Sequence, residues 1–97
     1  MVTAGYLIRV EAEPDKVAEV EAMLKSAMDH VRKEGLAVVW FALRLGPTTF
    51  GVFDAFADDA DRQAHMEANG QALRAALFAG APSVEQVDII AALVPGG

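Results

Sequence analysis

Apolar and polar residues alternate from Ala4 to Ala12, with Tyr6, Ile8, Val10 and Ala12 on one side and Leu7, Arg9 and Glu11 on the other. That is the two-residue period of a strand. Pro14 suits the first turn of a helix, where its missing N–H would have no partner, and Asp15 places negative charge at the positive end of the helix dipole. A helix is therefore predicted to start here and run to Glu34, with Val17, Val20, Leu24, Ala27, Met28 and Val31 along one stripe. Glu21 with Lys25 and Asp29 with Lys33 are spaced to pair on its outer surface, and Gly35 supplies the stop. Ala37 to Leu45 and Phe50 to Phe56 are runs of β formers joined by Gly46-Pro47-Thr48-Thr49, which predicts a hairpin. Asp58 is an N-cap for a second helix through Ala60, Ala64 and Ala68, with Asp59 and Asp61 in its first turn. Asn69-Gly70 breaks or bends it, Gln71 to Ala79 resumes with Leu73, Ala76 and Leu77 on one face, and Gly80-Ala81-Pro82 precedes a last strand, Val84 to Val94.

The order β-α-β-β-α-β, closed by right-handed crossovers, implies an α+β fold of the ferredoxin-like kind: a four-stranded antiparallel sheet with both helices on one face. Sorting the strands by alternation gives one wholly apolar set: Tyr6, Ile8, Val10; Ala37, Val39, Phe41, Leu43, Leu45; Gly51, Phe53, Ala55; Val87, Ile89, Ala91, Leu93. This set is expected beneath the helices. The remainder mixes Leu7, Val38, Trp40, Ala42, Phe50, Val52, Phe56 and Ile90 with Arg9, Arg44, Asp54, Gln86 and Asp88. A sheet face of roughly 400 Å² with that apolar content is too large to leave in water. It is expected to pack against a second copy about a two-fold axis, with Arg9, Trp40, Arg44, Asp54 and Asp88 at the interface of a homodimer. A half-polar sheet facing solvent is the plain alternative.

Composition narrows the classes. A chain of 97 residues, 54% apolar and 23% charged, is expected to form a single domain over 1–97. It has no cysteine, which excludes disulfides and thiolate metal sites. A net charge of −6 with no basic cluster argues against nucleic acid and anionic membrane partners. The N-terminus carries neither a signal-peptide pattern nor a spanning segment, so a cytoplasmic protein is expected.

The βαββαβ order, the opening Leu7-Ile8-Arg9-Val10-Glu11-Ala12-Glu13-Pro14-Asp15-Lys16, and Phe50-Gly51-Val52-Phe53-Asp54-Ala55-Phe56 followed by acidic residues and Ala64-His65-Met66 resemble the antibiotic biosynthesis monooxygenase family. The resemblance covers essentially the whole chain and implies a dimeric α+β barrel. It places an aromatic at the end of the third strand and a histidine nine residues later, matched by Phe56 and His65. The small-proline-histidine segment common in the family is replaced by Ala68-Asn69-Gly70, and Phe56 stands where many members carry tryptophan. Members include cofactor-free oxygenases of aromatic polyketides and quinols, haem-degrading relatives, isomerases and proteins of no assigned activity.

His65 is the candidate catalytic residue, because an imidazole titrates near neutrality and can take a phenolic or enolic proton. On its helix it shares an edge with Asp61, Ala68 and Ala72, where a histidine is otherwise structural. Tyr6, Phe41, Phe53 and Phe56 are the candidate substrate-binding aromatics between helices and sheet, each also explicable as core. The resemblance puts Phe56 at the pocket, whereas alternation puts it on the open face. His30 has no motif around it, and Asp58-Asp59-Asp61 lacks calcium-loop spacing, so no metal site is expected. Two functions follow. One is a cofactor-independent monooxygenase of a small aromatic, quinol or polyketide-like substrate, with His65 as proton acceptor and no flavin, haem or metal. The other is a non-catalytic dimer that binds a small apolar or aromatic ligand or plays a structural part. A cavity of about 300 Å³ or more beside His65 would favour the enzyme.

Overall fold

The computed structural model describes residues 1–69 and 77–95. Its elements are β1 (Ala4–Glu11), α1 (Val17–Glu34), β2 (Ala37–Arg44), β3 (Thr49–Phe56), α2 (Asp59–Asn69) and β4 (Ser83–Asp88). The strands form one antiparallel sheet in the order β2-β3-β1-β4, with two helices: the α+β, ferredoxin-like arrangement expected from the element order. Val20 and Leu24 of α1 close over Tyr6, Ile8, Val10, Phe50, Val52 and Phe56, and Met66 of α2 packs against the same cluster. Both helices therefore cover one face.

Pro14 falls outside the helix it was expected to open. Lys16 occupies the cap position without a side-chain bond, and α1 begins at Val17 after a turn closed by Lys16 N–H to Glu13 O at 2.8 Å. Its far end is fixed as glycine dictates: Gly35 takes φ 74° and its N–H bonds back to Val31 O at 3.2 Å. Met28, assigned to the buried stripe, is exposed. Glu21 faces Arg44 at 3.5 Å. At α2 the expected cap is present, with Asp61 N–H donating to Asp58 Oδ1 at 2.9 Å.

The largest departure concerns the faces. Register pairs Tyr6 with Asp54, Ile8 with Val52 and Val10 with Phe50 across β1 and β3, and Trp40 with Asp54 and Ala42 with Val52 across β2 and β3. Directly opposed residues share a face, so Trp40, Ala42, Arg44, Phe50, Val52, Asp54 and Phe56 lie on the helix side with Tyr6. The expected assignment of β2 and β3 is thus inverted. On β2 the cause is a register shift between Ala37 and Val39, where one extra residue, Val38, resets the alternation. On β3 the wholly apolar row Gly51, Phe53 and Ala55 belongs to the open face. Gln86 and Asp88 of β4 oppose Tyr6 and Ala4, and Val87 opposes Gly5 on the other side, so the expected rows of this strand are exchanged as well.

The open face consequently carries Leu7, Arg9, Val39, Phe41, Leu43, Phe53 and Val87, with Phe41 53% and Leu7 43% exposed. β4 also ends earlier than expected: past Ile89, whose N–H reaches Thr3 O at 3.0 Å, the segment to Pro95 is not strand, and Ile90 and Leu93 are fully exposed. The expected second half of the helical region, Gln71 to Ala79, lies largely outside the described residues. Its end is extended, with Phe78 bridged to Ala12 and Ala79 N–H bonded to Glu11 O at 2.7 Å.

Candidate functional site

Between the two helices and the sheet is a cavity of about 140 Å³, lined among others by Ile8, Leu24, Val31, Trp40, Val52 and Met66, and by the polar groups of Asp54, His65 and Asn69. His65 faces it because α2 starts at its Asp58 cap and turns this edge inward. His65 is 6% exposed and Asp54 only 1%.

Three ionisable side chains converge there. His65 Nδ1 lies 2.6 Å from Glu34 Oε1, and Nε2 lies 3.3 Å from Asp54 Oδ2. Glu34, the last residue of α1, is held in turn by Asn69, whose side-chain amide donates to Glu34 Oε2 at 2.6 Å and to the His65 carbonyl at 2.9 Å. Glu34 accepts from Nδ1–H, which fixes the ring and leaves Nε2 directed toward Asp54 and the cavity. The Asp54 contact is at ion-pair distance but not aligned as a hydrogen bond, and neither Asp54 carboxylate oxygen has a donor among the described residues.

Burial alone would push the imidazole pKa down. The Asp54 and Glu34 carboxylates on either side outweigh it, and the net result is a His65 pKa above the ordinary 6.5. Beneath the ring, Phe56 is fully buried with its centroid 5.1 Å from that of His65, and Tyr6 meets Phe56 edge-on at 6.3 Å. Burial also raises the Tyr6 pKa, partly opposed by Arg62. Arg62 is itself buried and ties α2 to the sheet, donating to Val87 O at 3.1 Å and Gly5 O at 3.3 Å and pairing with Asp59.

The structure brings together fewer of the expected site residues than the sequence suggested. Phe56 supports His65 from below and Tyr6 backs Phe56, but neither lines the cavity. Phe41 and Phe53 lie on the opposite face of the sheet, away from it. Of the residues assigned to the open face, Arg9 is there. Trp40 and Asp54 line the cavity instead, Arg44 lies over the Phe50 ring at 4.7 Å, and Asp88 sits at the exposed end of β4 in the Tyr6 row. Glu34 and Asn69 were missed. Glu34 ends a helix 31 residues before His65, and only tertiary packing joins them; Asn69, four residues after His65 on the same helix, was the one within reach of spacing arguments.

A Nitrosomonas europaea protein of unknown function is 42% identical, with the match covering 100% of this chain and 98% of that one at a TM-score of 0.91. The chain belongs to one family with that protein. A Caulobacter crescentus protein named as a candidate antibiotic biosynthesis monooxygenase shares the fold at 22% identity and TM-score 0.77, over 93% of this chain and 92% of that one. A second Nitrosomonas europaea protein, named in the same way, matches at 15% identity and TM-score 0.79, over 91% and 90%. The chain thus has the fold of proteins named as candidate antibiotic biosynthesis monooxygenases, the fold expected from its element order, and its 42%-identical relative has no known function. No protein-family model matches it, and no characterised protein matches it by sequence. Among the described residues no helix is long and apolar enough to cross a membrane.

Proposed function

We propose that this protein works as an antibiotic biosynthesis monooxygenase, a cofactor-independent monooxygenase of a small aromatic substrate, with His65 as the proton acceptor. The observation that carries the reading is the line Glu34–His65–Asp54 at the wall of an apolar cavity, at 2.6 and 3.3 Å. An apolar cavity of about 150 Å³ takes up benzene. The 140 Å³ here falls short of the roughly 300 Å³ that would by itself have favoured an enzyme, and it suits a single ring, which removes polycyclic polyketides from the substrate class.

A ring hydroxyl brought to Nε2 passes its proton to the neutral imidazole, and the two carboxylates stabilise the imidazolium that forms. The electron-rich ring then supplies all four electrons that dioxygen needs. For a hydroquinone, one oxygen atom enters at a ring C–H and the other leaves as water, giving a hydroxybenzoquinone with no external reductant. The chain contributes orientation, exclusion of water and one base.

The homodimer belongs to the same proposal. The apolar row Leu7, Phe41, Leu43 and Phe53 is what a second copy would cover.

Oxygen uptake and product formation with a panel of dihydroxybenzenes test the activity, in wild type and His65→Gln. The expected result is turnover that falls by about 10²–10⁴ in the variant, the usual contribution of a general base. Its acid limb in wild type lies above pH 6.5, because the base must be neutral and its pKa is raised. Equal turnover by the two proteins overturns the role of His65.

A further inference from the structure

Asp54 is the anomaly of the cavity. Its side chain is 1% exposed, it lies among Ile8, Val52, Trp40 and Met66, and neither carboxylate oxygen has a hydrogen-bond donor among the described residues. His65 Nε2 lies 3.3 Å from Oδ2, at ion-pair distance but out of line for a hydrogen bond. A buried carboxylate left without donors carries a desolvation cost that a ligand hydroxyl or amine would relieve. Trp40 stands opposite Asp54 in the sheet register and also lines the cavity, so a flat ring that reaches Asp54 meets an aromatic wall.

Resting on the function proposed above, we infer that Asp54 is the specificity-determining residue of the cavity and that the substrate is an uncharged single ring with two hydroxyl groups. One hydroxyl faces His65 Nε2 for deprotonation, and the second donates to the Asp54 carboxylate and sets the ring's position. A ring with its second hydroxyl capped leaves Asp54 buried and unpaired. A ring bearing a carboxylate meets Asp54 and Glu34 as like charges and is excluded.

Binding can be read without turnover. Trp40 is the only tryptophan, so its indole N–H gives a single resonance that reports cavity occupancy. Anaerobic NMR titrations of the whole protein use hydroquinone, 4-methoxyphenol and 4-hydroxybenzoate. Hydroquinone is expected to bind at least about tenfold more tightly than 4-methoxyphenol, the scale of a hydrogen bond to a charged group, and 4-hydroxybenzoate is expected to bind most weakly. Asp54→Asn should bring the first two within about threefold and admit the benzoate.

Equal affinity of wild type for hydroquinone and 4-methoxyphenol overturns the role of Asp54 and leaves His65 chemistry standing. No shift of the indole resonance with any of the rings overturns both. The wild-type comparison decides the matter even where Asp54→Asn does not fold.

Discussion

Neutralising both carboxylates that flank His65, in the double variant Glu34→Gln/Asp54→Asn, should change the sign of one term in the pH dependence of stability. In the folded wild type the His65 pKa lies above its unfolded value near 6.5. The stabilisation this provides is complete below pH 6.5 and is lost as pH rises through the folded pKa. Within that window a single group can change stability by at most about 1.4 kcal/mol per pH unit. For a domain of 60–100 residues that corresponds to roughly 5–11 °C in Tm per unit. The group is 6% exposed, so solvent screening removes little of this. In the double variant only burial remains, and burial holds the imidazole pKa down, so stability should instead fall on acidification below pH 6.5. Urea unfolding of both proteins from pH 5 to 9 provides the difference curve, in which titrations common to the two cancel. Parallel curves across that range would refute the argument, since they would mean that the carboxylates do not govern the proton on His65.

Two further outcomes test the framework that carries the site. Phe41→Glu puts a charge on the open sheet face without touching the cavity, and in sedimentation velocity the wild type is expected as a dimer and the variant as a folded monomer; a dimeric variant would remove this face from the proposed interface. Gly5→Ala would place a methyl 2.5 Å from the Asp54 backbone carbonyl and 3.2 Å from Val87 Cγ2. Because the nearer atom is backbone, the expected loss is about 1–3 kcal/mol in urea unfolding, and an unchanged midpoint would contradict the close approach of β1 and β3.

Element order was legible because its punctuation is local: Gly35 ends α1, Asp58 caps α2, and the Gly46 to Thr49 turn joins two β-rich runs. Facing was not. Alternation counts residues and cannot see a bulge, so the extra residue at Val38 inverted the reading of β2. On β3 the rule that the more apolar row goes inside failed because Asp54, a carboxylate that the rule sends to the surface, is buried at the cavity wall. The last strand was overextended for a related reason: Ile89 to Val94 is as apolar as a strand, but beyond Ile89 no ladder with β1 continues. His65 was identifiable from its spacing to Phe56 together with the family resemblance, whereas the Glu34 contact depends on where two helix ends meet.

The bulge at Val38 has a corollary for how such a molecule diversifies. Every side chain of β2 after it owes its destination to that single insertion, which sends Trp40 to the cavity and Phe41 and Leu43 to the open face of the sheet. A one-residue deletion there would exchange the two rows wholesale, so the cavity wall and the open face are not independently adjustable along this strand. Changes that retune the pocket are confined to substitutions that keep the count, and a lineage that loses the insertion must reinvent both surfaces at once.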